Sequence, residues 1–259
     1  MARLVVVIAL VLAGLAHRAD AQIVNVQGRL AKPPEKDGVT GQVELKLDWR
    51  EGNNRFFDVG GVASVLYRRG RLLGLALVRG EYGNAAGGIP IARKAFEHLR
   101  ARVTLDCRWK WEAFAQHEYD AFRRLSVRGV AGTGPALQIV NEDRVGILAG
   151  AAYLFELEQL DTRAGRIDAG QRSIASRASM YVTGTEKLGG GASITQTVYV
   201  QPRLTDPGDI RILGELSVTM KLSKRIALTD GFVAAYDRTP PDGIRRYDTQ
   251  LTVGLVVTF

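Results

Sequence analysis

The sequence predicts an all-β protein, a transmembrane antiparallel up-and-down β-barrel of about 12 strands. Three observations predict it. Long segments alternate apolar and polar residues with a period of two, as a strand with two different faces does. The turns between these segments alternate between short and long. The mean hydropathy is −0.04, which excludes a bundle of apolar helices and fits a wall whose two faces average near zero.

Residues 1–21 stand apart. Arg3 gives a short positive start, residues 4–15 are an apolar run, and Ala19-Asp20-Ala21 offers small residues for a peptidase. This reads as a secretory signal peptide with Gln22 as the mature start. The run is short of the ~20 residues a helical span needs, and no other stretch approaches that length. A short N-terminal periplasmic segment is expected over 22–37 and the barrel over 38–259.

Residues 42–50 set Val43, Leu45, Leu47 and Trp49 against Gln42, Glu44, Lys46, Asp48 and Arg50. After a turn at 51–54, residues 56–68 return and 71–81 run out again. Residues 82–96, rich in glycine and alanine, read as the first longer loop. Alternation resumes at 99–105, 109–119, 125–140 and 145–157. A polar loop at 161–171 precedes strands at 173–183 and 194–203, joined by a glycine-rich turn. Strands at 210–222, 226–236 and 247–259 complete the count. An even number puts the short turns on the side of both termini, the pattern of short periplasmic turns and longer external loops in a Gram-negative outer membrane.

The last strand carries Tyr247, Thr249, Leu251, Val253, Leu255, Val257 and Phe259 on one face. A closed barrel has no edge, so this strand must pair with the first. Its aromatic end, Phe259 preceded by Val257 and Leu255, resembles the signal that the barrel-assembly machinery reads in outer-membrane proteins.

The opposite faces are charged. Lys46, Arg100, Arg102, Lys110, Arg128, Arg177 and Arg211 share the expected lumen side with Glu112, Glu118, Glu156, Glu158 and Glu215; Arg50 and Lys221 fall on it too. Such residues either interlock into ion pairs that close the lumen, line a wet pore, or supply an acid/base pair. The formal charge of +8 becomes +7 once Arg3, Arg18 and Asp20 leave with the leader. The basic residues are scattered singly along alternating segments, which points away from nucleic acid and towards anionic lipid headgroups or anionic solutes.

Little else suggests chemistry. Cys107 is the only cysteine, so no internal disulfide can form, and it has no metal-ligand spacing. His98 and His117 are the two histidines after the leader, and neither has a serine two residues away. His117 falls on the outward face with Trp109, Trp111 and Tyr119. Gly132-Thr133-Gly134 and Gly189-Gly190-Gly191 lack the lysine and helix of a phosphate loop. No cofactor is expected.

Residues 111–137, WEAFAQHEYDAFRRLSVRGVAGTGPAL, resemble the central signature of the salt-induced outer-membrane protein family of unknown function. The matching positions are Phe114, Gln116, Tyr119, Asp120, Leu125, Arg128, Gly132 and Gly134, and the segments HLRARVTL and GQVELKLDWREGN are similar too. The resemblance implies an outer-membrane barrel without established activity. Function then divides between a passive channel for small solutes, with anions favoured by the basic chain, and a non-conducting stress-response barrel closed by ion pairs. A lipid-modifying enzyme is a third reading, and the sequence is read as non-enzymatic.

Overall fold

The computed structural model describes residues 23, 25–30, 36–51 and 55–258. The leader at 1–21 and the terminal Phe259 lie outside the described residues. The strands are β1 (Gly38–Arg50), β2 (Phe56–Arg69), β3 (Leu72–Ala85), β4 (Pro90–Thr104), β5 (Trp109–Asp120) and β6 (Leu125–Asn141). They continue with β7 (Val145–Leu160), β8 (Arg172–Gly189), β9 (Ala192–Pro202), β10 (Ile210–Lys221), β11 (Ile226–Asp237) and β12 (Tyr247–Thr258). Each is antiparallel to its chain neighbours, and β1 pairs with β12 to close the wall.

Alternation decides which way each side chain points. Leu45, Leu47, Trp49, Leu99, Leu251 and Val253 face outward and are more than 60% exposed. A soluble protein rarely leaves so large a contiguous apolar surface uncovered. Strands of 11 to 18 residues, at ~3.3 Å per residue, are long enough to cross an apolar band ~25 Å tall when tilted.

The short turns lie at the end that holds Gly38 and Thr258. At the first of them Gly70 has φ 54°, a left-handed conformation that costs glycine nothing and other residues much. The longer connections, 161–171 and 238–246 among them, lie at the opposite end.

Residues 82–96 correct the reading from sequence. β3 runs on to Ala85, β4 begins at Pro90, and only a 3-10 turn, Ala86–Gly88, joins them. A register shift at Gly83/Asn84 accommodates Pro90, which has no N–H to give a ladder. The Arg93 guanidinium lies 3.7 Å over the Tyr82 ring and donates to the Gly83 carbonyl at 2.9 Å and to Asn84 Oδ1 at 2.9 Å. Cross-strand partners outweigh the weak strand preference of glycine and alanine here.

Residues 25–30 lie inside the barrel, not in the periplasmic segment that the sequence predicts over 22–37. They include a single helical turn, α1 (Gln27–Leu30). Val26 and Leu30 are buried against Leu66, Leu73, Leu75, Leu77 and Phe96 of the inner wall. Ile23 joins a second inner cluster with Ala136, Leu148, Tyr181, Tyr199 and Leu213. The Tyr181 ring lies against Gly150, where any Cβ would overlap it. Glycine at 150 thus marks close packing of a large inward ring.

Candidate functional site: the barrel lumen

One side of the lumen is filled by ion pairs built on two buried glutamates. Alternation brings Arg100 and Arg102 of β4 to the same face, and the register sets Arg102 opposite Glu112 of β5. Arg100 Nη1 donates to Glu112 Oε2 at 2.9 Å and Arg102 Nε to Oε1 at 2.6 Å, while the Tyr181 hydroxyl donates to Oε2 at 2.9 Å. Glu156 of β7 holds three arginines, with Arg128 and Arg211 at 2.6 Å and Arg177 at 3.2 Å. The network continues from Arg128 to Glu118, from Arg211 to Glu158 and Asp237, and from Arg177 to Asp209. Burying charges in this way is tolerable because nearly every oxygen finds a donor.

The other side is open. A cavity of about 370 Å³ lies between β1–β3 and β10–β12. Its lining runs from Lys221, Ala227 and Thr258 at the short-turn end to Glu118 and Asp120 near the loop end. One wall carries hydroxyls, from Ser217, Thr219, Thr229 and Thr252. The other carries paired charges. Lys46 Nζ reaches Asp58 at 2.6 Å and Glu81 at 2.8 Å, and Lys94 meets Glu81 at 2.8 Å. Asn25, Gly28 and Arg29 form part of the same lining, with Arg29 held 2.6 Å from Glu44.

The twelve lumen residues expected from the sequence all point inward, and Glu118 links the network to the cavity. Arg100, Arg102, Glu112, Arg128, Glu156, Glu158, Arg177 and Arg211 belong to the network. Lys46, Glu118 and Glu215 border the cavity, and Lys110 donates to Gln138 at 2.9 Å. Leu255 and Val257 face outward. His117 is exposed with Nδ1 3.4 Å from Glu97, while His98 is enclosed, accepting from Arg100 at 3.3 Å and meeting Gln116 at 3.0 Å. Alternation along β2 and β3 would have found Asp58 and Glu81; no periodicity marks Gln27, whose Oε1 accepts from Arg102 at 2.6 Å.

At the loop end Arg124 is fully buried with φ 61°, an uncommon conformation for a residue with a Cβ. Its guanidinium pairs with Asp161 at 3.0 Å and with Asp168, and donates to the Asp242 carbonyl at 2.9 Å. Desolvation would raise the Asp168 carboxyl, but the Asp242 N–H and Arg124 outweigh it and hold this group below its ordinary 3.8. Three connections are thereby pinned to one side chain.

The fold is shared with barrels of the outer-membrane porin type. The NanC porin superposes with a TM-score of 0.51 at 8% identity, over 84% of this chain and 98% of that one. An outer-membrane channel from Pseudomonas putida F1 gives 0.52 at 10% identity, over 88% and 99%. No curated protein matches the sequence. Residues 43–259 match the family model DUF481, described as proteins of unknown function. With most of the barrel covered by that match, the chain belongs to the DUF481 family.

Proposed function

We propose that the protein is an outer-membrane barrel that passes small polar solutes through the open side of its lumen. The carrying observation is the uneven filling of the interior: ion pairs close one side, while a cavity whose walls carry hydroxyls and paired charges runs lengthwise beside β1–β3 and β10–β12. The exposed apolar belt supports residence in a membrane, and the similarity to outer-membrane porins and channels supports which membrane. Outer-membrane lipids would surround the wall, and the assembly machinery would insert it through its closing segment at 255–259. We assign it no catalysis, since His98 is packed between Arg100 and Gln116 and His117 faces outward beside Glu97.

Planar-bilayer recording of the refolded protein tests this reading. Unitary current steps support it. A protein that inserts and gives no steps at any voltage would sink it.

That second outcome would favour a closed, load-resisting barrel. The lodging of α1 in the lumen, with Gln27 bonded to Arg102 of the Glu112 cluster, supports this alternative. The resemblance to the salt-induced family adds a role under osmotic stress, which transcript levels after a salt step would test.

A further inference from the structure

The chain's formal charge is +8, yet the passage wall does not carry the excess. There Arg29, Lys46, Arg79, Lys94 and Lys221 stand against Glu44, Glu81, Glu118, Asp120 and Glu215. At the loop end several arginines are matched, Arg123 with Asp248, Arg124 with Asp161 and Asp168, and Arg203 with Asp209, while Arg238, Arg245 and Arg246 lie in the 238–246 connection.

Basic residues that face the lumen gather at the short-turn mouth. Here one ladder hydrogen bond beyond the paired strands carries the inward rows to the rim. Thr104 N–H donates to the Arg71 carbonyl at 2.9 Å, Gln138 to Arg108 at 2.8 Å, Lys187 to Arg144 at 2.8 Å, and Thr258 to Arg225 at 2.9 Å. Arg71 therefore sits two residues before inward Leu73, Arg108 before inward Lys110, and Arg225 before Ala227 of the cavity lining. Lys187 pairs with buried Ser193, Arg144 lies opposite Lys187, and Lys221 already lines the cavity. Six strands thus each bring a basic residue to the inner edge of one mouth. All six are exposed, and none forms an ion pair with a carboxylate among the described residues. Two of the carboxylates at this end are taken up by backbone amides, Asp37 by Gly70 and Asp106 by Arg108 and Trp109.

We propose that Arg71, Arg108, Arg144, Lys187, Lys221 and Arg225 form an anion-concentrating ring, so that the passage admits small anions ahead of cations. The inference rests on the passage proposed above. A ring of like charge at a mouth raises the local concentration of counter-ions and selects by sign. Its reach is a Debye length, ~10 Å at 0.1 M salt and ~3 Å at 1 M.

The experiment is the reversal potential of single channels in a KCl gradient. The protein is compared with a ring triple, Arg71→Gln, Lys221→Gln and Arg225→Gln, and with a control triple, Arg69→Gln, Arg172→Gln and Arg238→Gln, which removes equal charge away from the inner mouth. The expected result is a chloride-directed potential that the ring triple brings to zero, that the control triple leaves in place, and that fades in ~1 M salt. A potential unmoved by the ring triple, or moved equally by the control, overturns the ring and leaves the passage standing. Absence of unitary steps in all three proteins overturns the passage and the ring together.

Discussion

Arg102 on the wall and Gln27 on α1 lie 75 residues apart in sequence and share a 2.6 Å hydrogen bond inside the barrel. This bond, the Arg29–Glu44 pair at 2.6 Å and the seating of Val26 and Leu30 together hold α1 in place. The wall itself is closed by strand pairing.

Placing carboxylates at Val26 and Leu30 should therefore expel α1 without opening the wall, since an unpaired charge cannot remain in that apolar seat. Trypsin should cut the double aspartate variant at Arg29 many times faster than the parent, while the barrel keeps its heat-dependent mobility on gels. Equal cleavage rates would mean that other contacts retain the segment.

Glu156→Gln should be among the most damaging single changes. It leaves Arg128, Arg177 and Arg211 clustered around a neutral amide. Breaking a buried pair from one side typically costs about 3–5 kcal/mol. The denaturant midpoint in lipid vesicles should fall accordingly, and a shift below about 1 kcal/mol would mean that water already screens the cluster.

The loop clasp should respond to acid in a defined direction. Asp168 has a folded pKa below its ordinary 3.8, so its contribution is complete above that value and disappears as pH falls through the folded one. Hydrogen exchange across residues 161–171, corrected for intrinsic rates, should stay slow from neutrality down to the ordinary 3.8 of a free aspartate and rise as the pH falls below it. Arg124→Ala should give the fast exchange already at neutral pH. Protection that persists in this variant would remove Arg124 from the role.

The outward wall offers a direct test of its surroundings. Leu99 is 61% exposed and lies near the middle of β4. Arginine on a lipid-facing strand costs about 2–4 kcal/mol at the centre of a bilayer. Leu99→Arg should be destabilising by that order in vesicles and near neutral in detergent. A neutral effect in both would argue against a lipid-facing site.

The wall was largely legible because strand alternation is a local property. Val43, Leu45 and Leu47 announce one face, Glu44 and Lys46 the other, with no tertiary knowledge needed. The same parity sets Glu156 and Arg211 inward. That they meet at 2.6 Å across 55 residues depends on barrel diameter and shear, which no local pattern encodes. Residues 25–30 were opaque for another reason: a single helical turn is too short to show a period. The 82–96 hairpin was hidden because glycine and alanine mimic loop composition, while the Arg93–Tyr82 contact that rigidifies it becomes visible only once the strands are paired.

Among the described residues, the join between β1 and β12 runs from Gln42–Thr258 to Leu45–Leu255, whereas β1 matches β2 from Gly38–Arg68 through Arg50–Phe56. A cylinder is as strong as its shortest zip. Under mechanical load, or in the last moments of closing, this junction parts first and fastens last, and a staple across Val43 and Val257 would delay unravelling more than one placed between any other neighbouring strands.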